Sequence, residues 1–392
     1  MRLPGIDQLL FDQVRHQNDQ RLADAAKYIR QGKTTLVAGA GLSAPAGLPG
    51  WSGLLSKAFS VMLELSEPPS NSKYCQGFYN FRCNSPKRFQ ELVEQLARCD
   101  ITPPGDMNLL ESGEYIEQSM NQLALSGEDK LSSSISRIRL REVLRHCMQP
   151  KKTVAELRNS ALWNFAGLML SYIRSGQGIG NVITYNYDNL LECCLREHLR
   201  GSFGSKAALE DYCRVHVGPD IEPPSRSRHY MANIYHVHGS FLLPGMEDCG
   251  RTSENLILSE ESYYEVETRT YDWVHMVQAQ ALLNSSCIFS GFSAEDYNFR
   301  RLLKSLNPDQ IPYKHYILFT INDAAKHFYR KLAGLELTNS DPVASVPEDI
   351  RFLLNYYLSL KENYWLRYRI CPIWSTFDDL PHQVAVLNQQ SP

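Results

Sequence analysis

Residues 37–51 read VAGAGLSAPAGLPGW. Thr34 to Ala38 (TTLVA) form an apolar run of strand length, and Gly39-Ala40-Gly41 end it with a turn that no bulky side chain lines. Ser43 stands at a position for an N-cap, with Pro45 in the following first turn. A strand, a glycine turn and a helix start together make a site for a phosphate, because N–H groups at a helix N-terminus point outward and its dipole favours negative charge. The glycines would also let a pyrophosphate approach the backbone. A tight strand-to-helix turn with nothing bound fits the same residues, and the full GxGxxG fingerprint is absent, since the next glycine after Gly41 is Gly47.

The rest of the chain supplies the context. After Gly180 short apolar runs alternate with helical patterns: NVITYN, NIYHVHGS, NLILS, SCIFSGF, KHYILFTIN and YRICPIW read as strands. Strands separated by helices imply βαβ units and a parallel sheet. Residues 7–30 carry apolar residues at helical spacing and read as one or two lead-in helices. From about 52 to 178 the pattern is mostly helical, as in PKRFQELVEQLARC (86–99), SRIRLREVLRHCM (136–148) and TVAELRNSALWNFAGLMLSYIRSG (153–176), with SEPPSNS and TPPGD as loops.

Five strand ends carry a glycine or a polar residue. They are GAG, then Asn186 and Asp188 in ITYNYDN, His238 in VHGS, Gly291 and Ser293 in FSGFS, and Asn322 in ILFTIN. In a parallel sheet those ends share one edge, where ligands bind.

The bulk numbers exclude several classes. The 392 residues suffice for one large domain or two ordinary ones, and 43% hydrophobic residues argue for a packed core. A net charge of -3 gives no global field for nucleic acid, so no direct nucleic-acid binding is expected. A local cluster of Arg137, Arg139, Arg141, Arg145, Lys151 and Lys152 reads as a basic patch or a solvated helix face. The ten cysteines include no CxxC pair, and no apolar run resembles a leader or a membrane span. Free thiols in a reducing cytoplasm are expected.

The ordered set GAGLS with GLPGW, TYNYDN, HGS, GFS and the IN of FTIN resembles the sirtuin (silent-information-regulator) superfamily from about residue 33 onward. The resemblance implies an α/β fold: a Rossmann-like open parallel sheet flanked by helices, with a mostly helical insertion after the first βα unit. The expected division is an N-terminal helical lead-in (1–32), an NAD-binding core (33–54 and 178–392) and an insertion module (55–177). Two departures stand out. Sirtuin deacylases carry a zinc ribbon with two CxxC pairs, and they place Asp-Phe-Arg where this chain has Gly50-Trp51-Ser52. Both features look like the sirtuin-like NAD hydrolases of bacterial anti-phage defence.

That likeness implies an NAD+ hydrolase (NADase) acting in abortive infection, with NAD+ as substrate, no zinc and no metal ligands. The alternatives are a zinc-free NAD-dependent deacylase or ADP-ribosyltransferase, or a non-catalytic NAD-sensing module. His238 and Asn186 are the expected catalytic residues. Gly39, Ala40, Gly41, Ser43, Asp188, Gly291, Ser293 and Asn322 are the expected cofactor-binding residues. Asp188 either contacts the carboxamide or caps the next helix, and Trp51 either covers the nicotinamide pocket or packs in the core. Asp296 reads as a helix cap. His236, two residues before His238, would share its strand face and pack beside it. A toxic NADase needs restraint, so a cytoplasmic homo-oligomer is expected, with an external trigger or partner such as a HerA-type DNA-translocating ATPase or another sensor.

Overall fold

The computed structural model describes residues 6–65, 113–118, 133–218, 230–253, 256–268, 272–294, 296–320, 348–375 and 380–389, together with Lys87 and Glu91. Asn322, the PKRFQELVEQLARC pattern apart from Lys87 and Glu91, and nearly half of the expected insertion lie outside those residues.

Seven strands form one sheet: β1 (Thr34–Ala38), β2 (Ile179–Thr184), β3 (Cys213–His216), β4 (Ala232–His236), β5 (Ser286–Ser290), β6 (His315–Thr320) and β7 (Ile370–Ser375). Their order is β3-β4-β2-β1-β5-β6-β7, and every neighbouring pair is parallel. The fold is therefore α/β and Rossmann-like, as the alternating pattern predicts. All five residues of β1 and all five of β5 are buried, because helices cover both faces.

The helices among the described residues include α1 (Ile6–Arg30), α2 (Trp51–Leu65), α3 (Ser133–Cys147), α4 (Ala161–Ser175), α5 (Leu190–Phe203), α6 (Glu260–Thr268), α7 (Trp273–Asn284), α8 (Tyr297–Ser305), α9 (Glu348–Leu366) and α10 (Leu380–Gln389). Alternation along β1 splits the core. Leu36 and Ala38 face a cluster with α1, α2, α3, α4, α5 and α10, while Val37 faces a second cluster with α7, α8 and α9. The N-terminal segment is one helix, tied to β7 where Asn18 exchanges two hydrogen bonds with the Trp374 backbone. Helix α4 begins at a capped position, with the Ser160 hydroxyl accepting from Trp163 N–H, and packs on α5 and β2.

Two strand expectations are corrected. The Cys213–His216 segment is a strand that its short CRVH sequence hides, its residues alternating between buried and half-buried at the sheet edge. The Leu256–Ser259 part of NLILS is not a strand. Instead Ile257 N–H donates to the His238 carbonyl (2.9 Å), and its own carbonyl accepts from the Tyr187 hydroxyl (2.6 Å), so the segment straps the ends of β2 and β4. Of the basic cluster, Lys151 and Lys152 are exposed, the side chains of Arg137 and Arg139 lie outside those described, and Arg141 and Arg145 are half-buried. Arg141 donates to the Ser253 carbonyl and Arg145 to the Leu242 carbonyl (2.8 Å), fastening the segment that follows β4 onto α3.

Candidate functional site

The carboxyl ends of β4, β2, β1 and β5 lie side by side and carry HVHGS, YNYDN, GAGLS and GFS. Because β2 and β5 flank β1, the chain leaves β1 on one side and later returns on the other. That reversal opens a crevice at the strand ends of such sheets.

The glycines after β1 have a partner within the chain. Gly39 N–H donates to the Ser290 carbonyl (3.1 Å) and Gly41 N–H to the Gly291 carbonyl (2.9 Å). A Cβ on Gly39 would lie 2.5 Å from the Gly291 oxygen, and one on Gly41 would lie 2.8 Å from the Gly291 Cα. Gly291 itself has φ +61, and its Cβ would meet Leu42 N at 2.2 Å. Two backbone loops thus pack directly on each other, and this contact alone demands small residues.

The expected helix start is also different. Ala40–Leu42 and Ala44–Ala46 are single 3₁₀ turns, and the first α-helix after the glycines begins at Trp51. Ser43 occupies an N-cap position, but its side chain caps nothing there. Trp51 is half-buried against the core, its ring centred 5.9 Å from that of Tyr187.

Ser43 instead joins a buried network. The Asn186 amide donates to the Gly39 carbonyl and to Ser43 Oγ, both at 3.1 Å. Ser43 Oγ donates to Asp188 Oδ2 (2.8 Å), and Asp188 Oδ1 accepts from Leu190 N–H (3.2 Å). Asp188 therefore satisfies the helix start and holds the loop after β1 at once. Below it, His236 turns Nδ1 to the Asn186 carbonyl (3.1 Å) and Nε2 to Glu192 Oε1 (2.6 Å). The Asn186 carbonyl can only accept, so Nδ1 carries a proton, and the Glu192 carboxyl at Nε2 favours the charged ring. Burial opposes that charge, but Glu192, the Asn186 carbonyl and Asp188 together raise the His236 pKa.

Asp188 pushes the other way. Burial lifts its carboxyl to about 6, against the hydrogen bonds from Ser43 and Leu190. The native state then binds more protons than the unfolded chain between the ordinary carboxylate value and about 6, so this residue's stabilising share is complete at low pH and is lost as pH rises through about 6. Two pKa units correspond to about 3 kcal/mol, of which weaker hydrogen bonding in an amide would forfeit about 1. Asp188→Asn is accordingly expected to be about 2 kcal/mol more stable than wild type at pH 7.5 and about 1 kcal/mol less stable near pH 4, by urea midpoints. Parallel curves at both pH values would remove the carboxylate as the cause.

His238 belongs to a different cluster. β4 ends at His236, and Val237 and His238 lie in a turn completed by Gly239 at φ +88. Strand alternation stops there, so the expected shared face of His236 and His238 does not exist. His238 packs edge-on to Tyr185 (4.8 Å between ring centres) and Tyr263 (5.3 Å). Its Nε2 lies 3.4 Å from both the Tyr263 hydroxyl and Asp296 Oδ2. Burial lowers the His238 pKa and Asp296 opposes the fall, so the ring is neutral near pH 7.

The structure thus brings Gly39, Ala40, Gly41, Ser43, Asn186, Asp188, His238, Gly291 and Ser293 to one sheet edge, with Ser293 exposed and Asn186 and His238 buried. Three partners escape a reading of the sequence. Glu192 carries only a helical offset of four from Asp188. Asp296 shows the local signature of a cap, which it also fulfils, and that signature masks its second role. Tyr263 lies in a segment with no motif.

Residues 180–337 match the family described as SIR2-like domain. The match begins in β2 and takes in β4, β5 and β6, whereas the GAG loop precedes it. SIR2-like domains bind NAD+, and the match supports a sirtuin-like relationship and an NAD-related activity. The chain matches no curated protein. Among the described residues no group of three or more His, Cys, Asp or Glu is placed to hold a metal ion, and no helix is long and apolar enough to cross a membrane.

Proposed function

We propose that this chain is an NAD+ glycohydrolase. It breaks the bond between nicotinamide nitrogen and ribose C1′, and water supplies the new C1′–O bond, giving nicotinamide and ADP-ribose. The observation that carries this reading is a buried His238 at the same strand edge as the Asn186–Ser43–Asp188 network, in a sheet with SIR2-like sequence, burial lowering the pKa of its ring.

Nicotinamide leaves as a neutral molecule, so the leaving group needs little acid. The transition state resembles an oxocarbenium ion, as in other glycosidic cleavages. His238 accepts the proton of the attacking water or of a ribose hydroxyl. The Asn186 side chain both donates and accepts, which suits the water or the ribose. Asp188, Ser43 and the loops at Ala40 and Gly291 hold the nucleotide. Gly39 and Gly41 serve this indirectly, by seating the loop.

The decisive experiment is nicotinamide release from NAD+ by purified protein without any peptide. Release that requires an acyl-peptide or protein acceptor would replace hydrolysis with deacylation or ADP-ribosyl transfer. Binding without turnover under every trigger would leave a sensing module.

We further propose a triggered effector that depletes NAD+ in the cytoplasm during phage infection. Its support is the burial of the site: His238 is 4% exposed and Asn186 9%, with the Ile257 backbone and the Tyr263 hydroxyl against His238, and the proposal has NAD+ enter after that cover shifts. A homo-oligomer is part of the proposal. Leu353, Tyr356 and Leu360 are exposed at helical spacing on α9, an apolar stripe suited to a second copy. A HerA-type ATPase or another sensor would supply the trigger.

A further inference from the structure

We propose that Asp296 and Tyr263 are positioning residues for His238: the carboxylate faces Nε2 and steadies the imidazolium formed when the ring takes a proton, and the tyrosine hydroxyl fixes the carboxylate. This rests on the NAD+ glycohydrolase reading for its chemistry, and on geometry for the assignment.

The Asp296 carboxylate is held at both oxygens. Oδ1 accepts from Phe299 N–H at 2.8 Å, and Oδ2 accepts from the Tyr263 hydroxyl at 2.8 Å. Its aim is set by the turn before α8, where buried Ala294 takes φ +59 and its carbonyl accepts from Arg300 Nε (2.8 Å). A non-glycine residue in the left-handed region is strained, and such strain persists only where surrounding contacts enforce it. The side chains of His238 and Asp296 are 6% and 8% exposed, so water screens their interaction weakly.

The separation of 3.4 Å is long for a hydrogen bond, as suits a neutral ring. A proton on His238 adds the charge that shortens it. With Nε2–H turned to the carboxylate, Nδ1 is the nitrogen that takes the proton from a water or ribose O–H. The oxygen keeps the electron pair, and the imidazolium charge is balanced by Asp296. The ring cannot swing aside, because Tyr185 and Tyr263 stand edge-on against it. Among the described residues the titratable groups facing His238 are Tyr185 from the end of β2, Tyr263 from α6 and Asp296 from the start of α8. Both tyrosines stay protonated, burial holding their pKa values well above the ordinary phenol value, so Asp296 is the charge that acts on the ring.

Asp296→Asn isolates the charge, since asparagine also caps helices. The expected result is a fall in kcat of about 10- to 100-fold with KM changed less than about twofold. The pH profile should also move. His238 must be neutral to accept a proton, so kcat/KM falls as pH drops through its pKa. Asp296 raises that pKa, and removing the charge should move the acid limb to lower pH by about one unit. Tyr263→Phe keeps the ring and loses the hydroxyl, and a smaller fall in kcat is expected. The His238 imidazole titration, followed by NMR and assigned by its absence in His238→Ala, reads the pair without turnover. If wild-type protein releases no nicotinamide under every trigger yet the titration shifts down in Asp296→Asn, the reaction assignment fails and the pair stands. An unshifted titration, or an unshifted pH profile in active protein, overturns the pair.

Discussion

His238→Ala is expected to lower kcat/KM for NAD+ cleavage about a thousandfold, in the middle of the range for loss of a general base, or about 4 kcal/mol of transition-state stabilisation. The size of the effect follows from the surroundings. Burial keeps the ring neutral, so wild-type His238 is ready to accept a proton near pH 7. Alanine leaves no group in its place: Tyr185 and Tyr263 stay protonated.

Folding should survive the change. Asp296 keeps its bonds from Phe299 and Tyr263, so no carboxylate is left unpartnered. The vacated volume is that of one ring, and His238→Gln refills part of it without restoring a base at that pKa. The measurement is nicotinamide release per folded molecule, with circular dichroism and a urea midpoint for each variant. Activity within about tenfold of wild type would remove His238 from the chemistry, since bases contribute at least a hundredfold.

The second large effect is on stability. Gly291→Ala should destabilise the protein by about 3 kcal/mol, combining left-handed backbone strain of about 1 with overpacking of about 2. The added methyl would press on Leu42 N at 2.2 Å, and the φ of +61 disfavours any side chain. Relief requires the loops after β1 and β5 to part, which breaks the bond from Gly41 N–H to the Gly291 carbonyl. Nucleotide binding should fall with it, because Ser43 and Asn186 are seated by the same loop.

Gly39→Ala separates sterics from backbone strain. Gly39 has an ordinary φ of -125, so its clash with the Gly291 oxygen at 2.5 Å acts alone. Gly50→Ala is the control, with nothing within 4 Å. If Gly291→Ala keeps wild-type stability and loses only NAD+ affinity, the glycines exist for the ligand and not for the contact between loops.

The sheet was legible because its signals are local. Strand-length apolar runs bounded by glycine or Asn, alternating with helical spacing, predict a parallel sheet and place the unusual residues at one edge. β3 escaped because four residues with alternating exposure leave too weak a period, and Leu256–Ser259 misled because an apolar run serves a strap as well as a strand.

What the sequence determined by itself is therefore the frame. It contains the order GAG, NYDN, HGS and GFS, and hence which side chains reach the carboxyl edge, because strand direction and connection length are written in contiguous residues. Tertiary structure alone decided which of them act on one another. His236 and His238 sit two residues apart yet join separate clusters, since the strand ends between them and a turn redirects the second ring. The partners of each come from far along the chain, Glu192 from α5 and Tyr263 with Asp296 from α6 and α8. Both rings are buried, and their pKa values move in opposite directions because His236 has Glu192, the Asn186 carbonyl and Asp188 against it while His238 has Asp296, partners set by packing across long sequence separations.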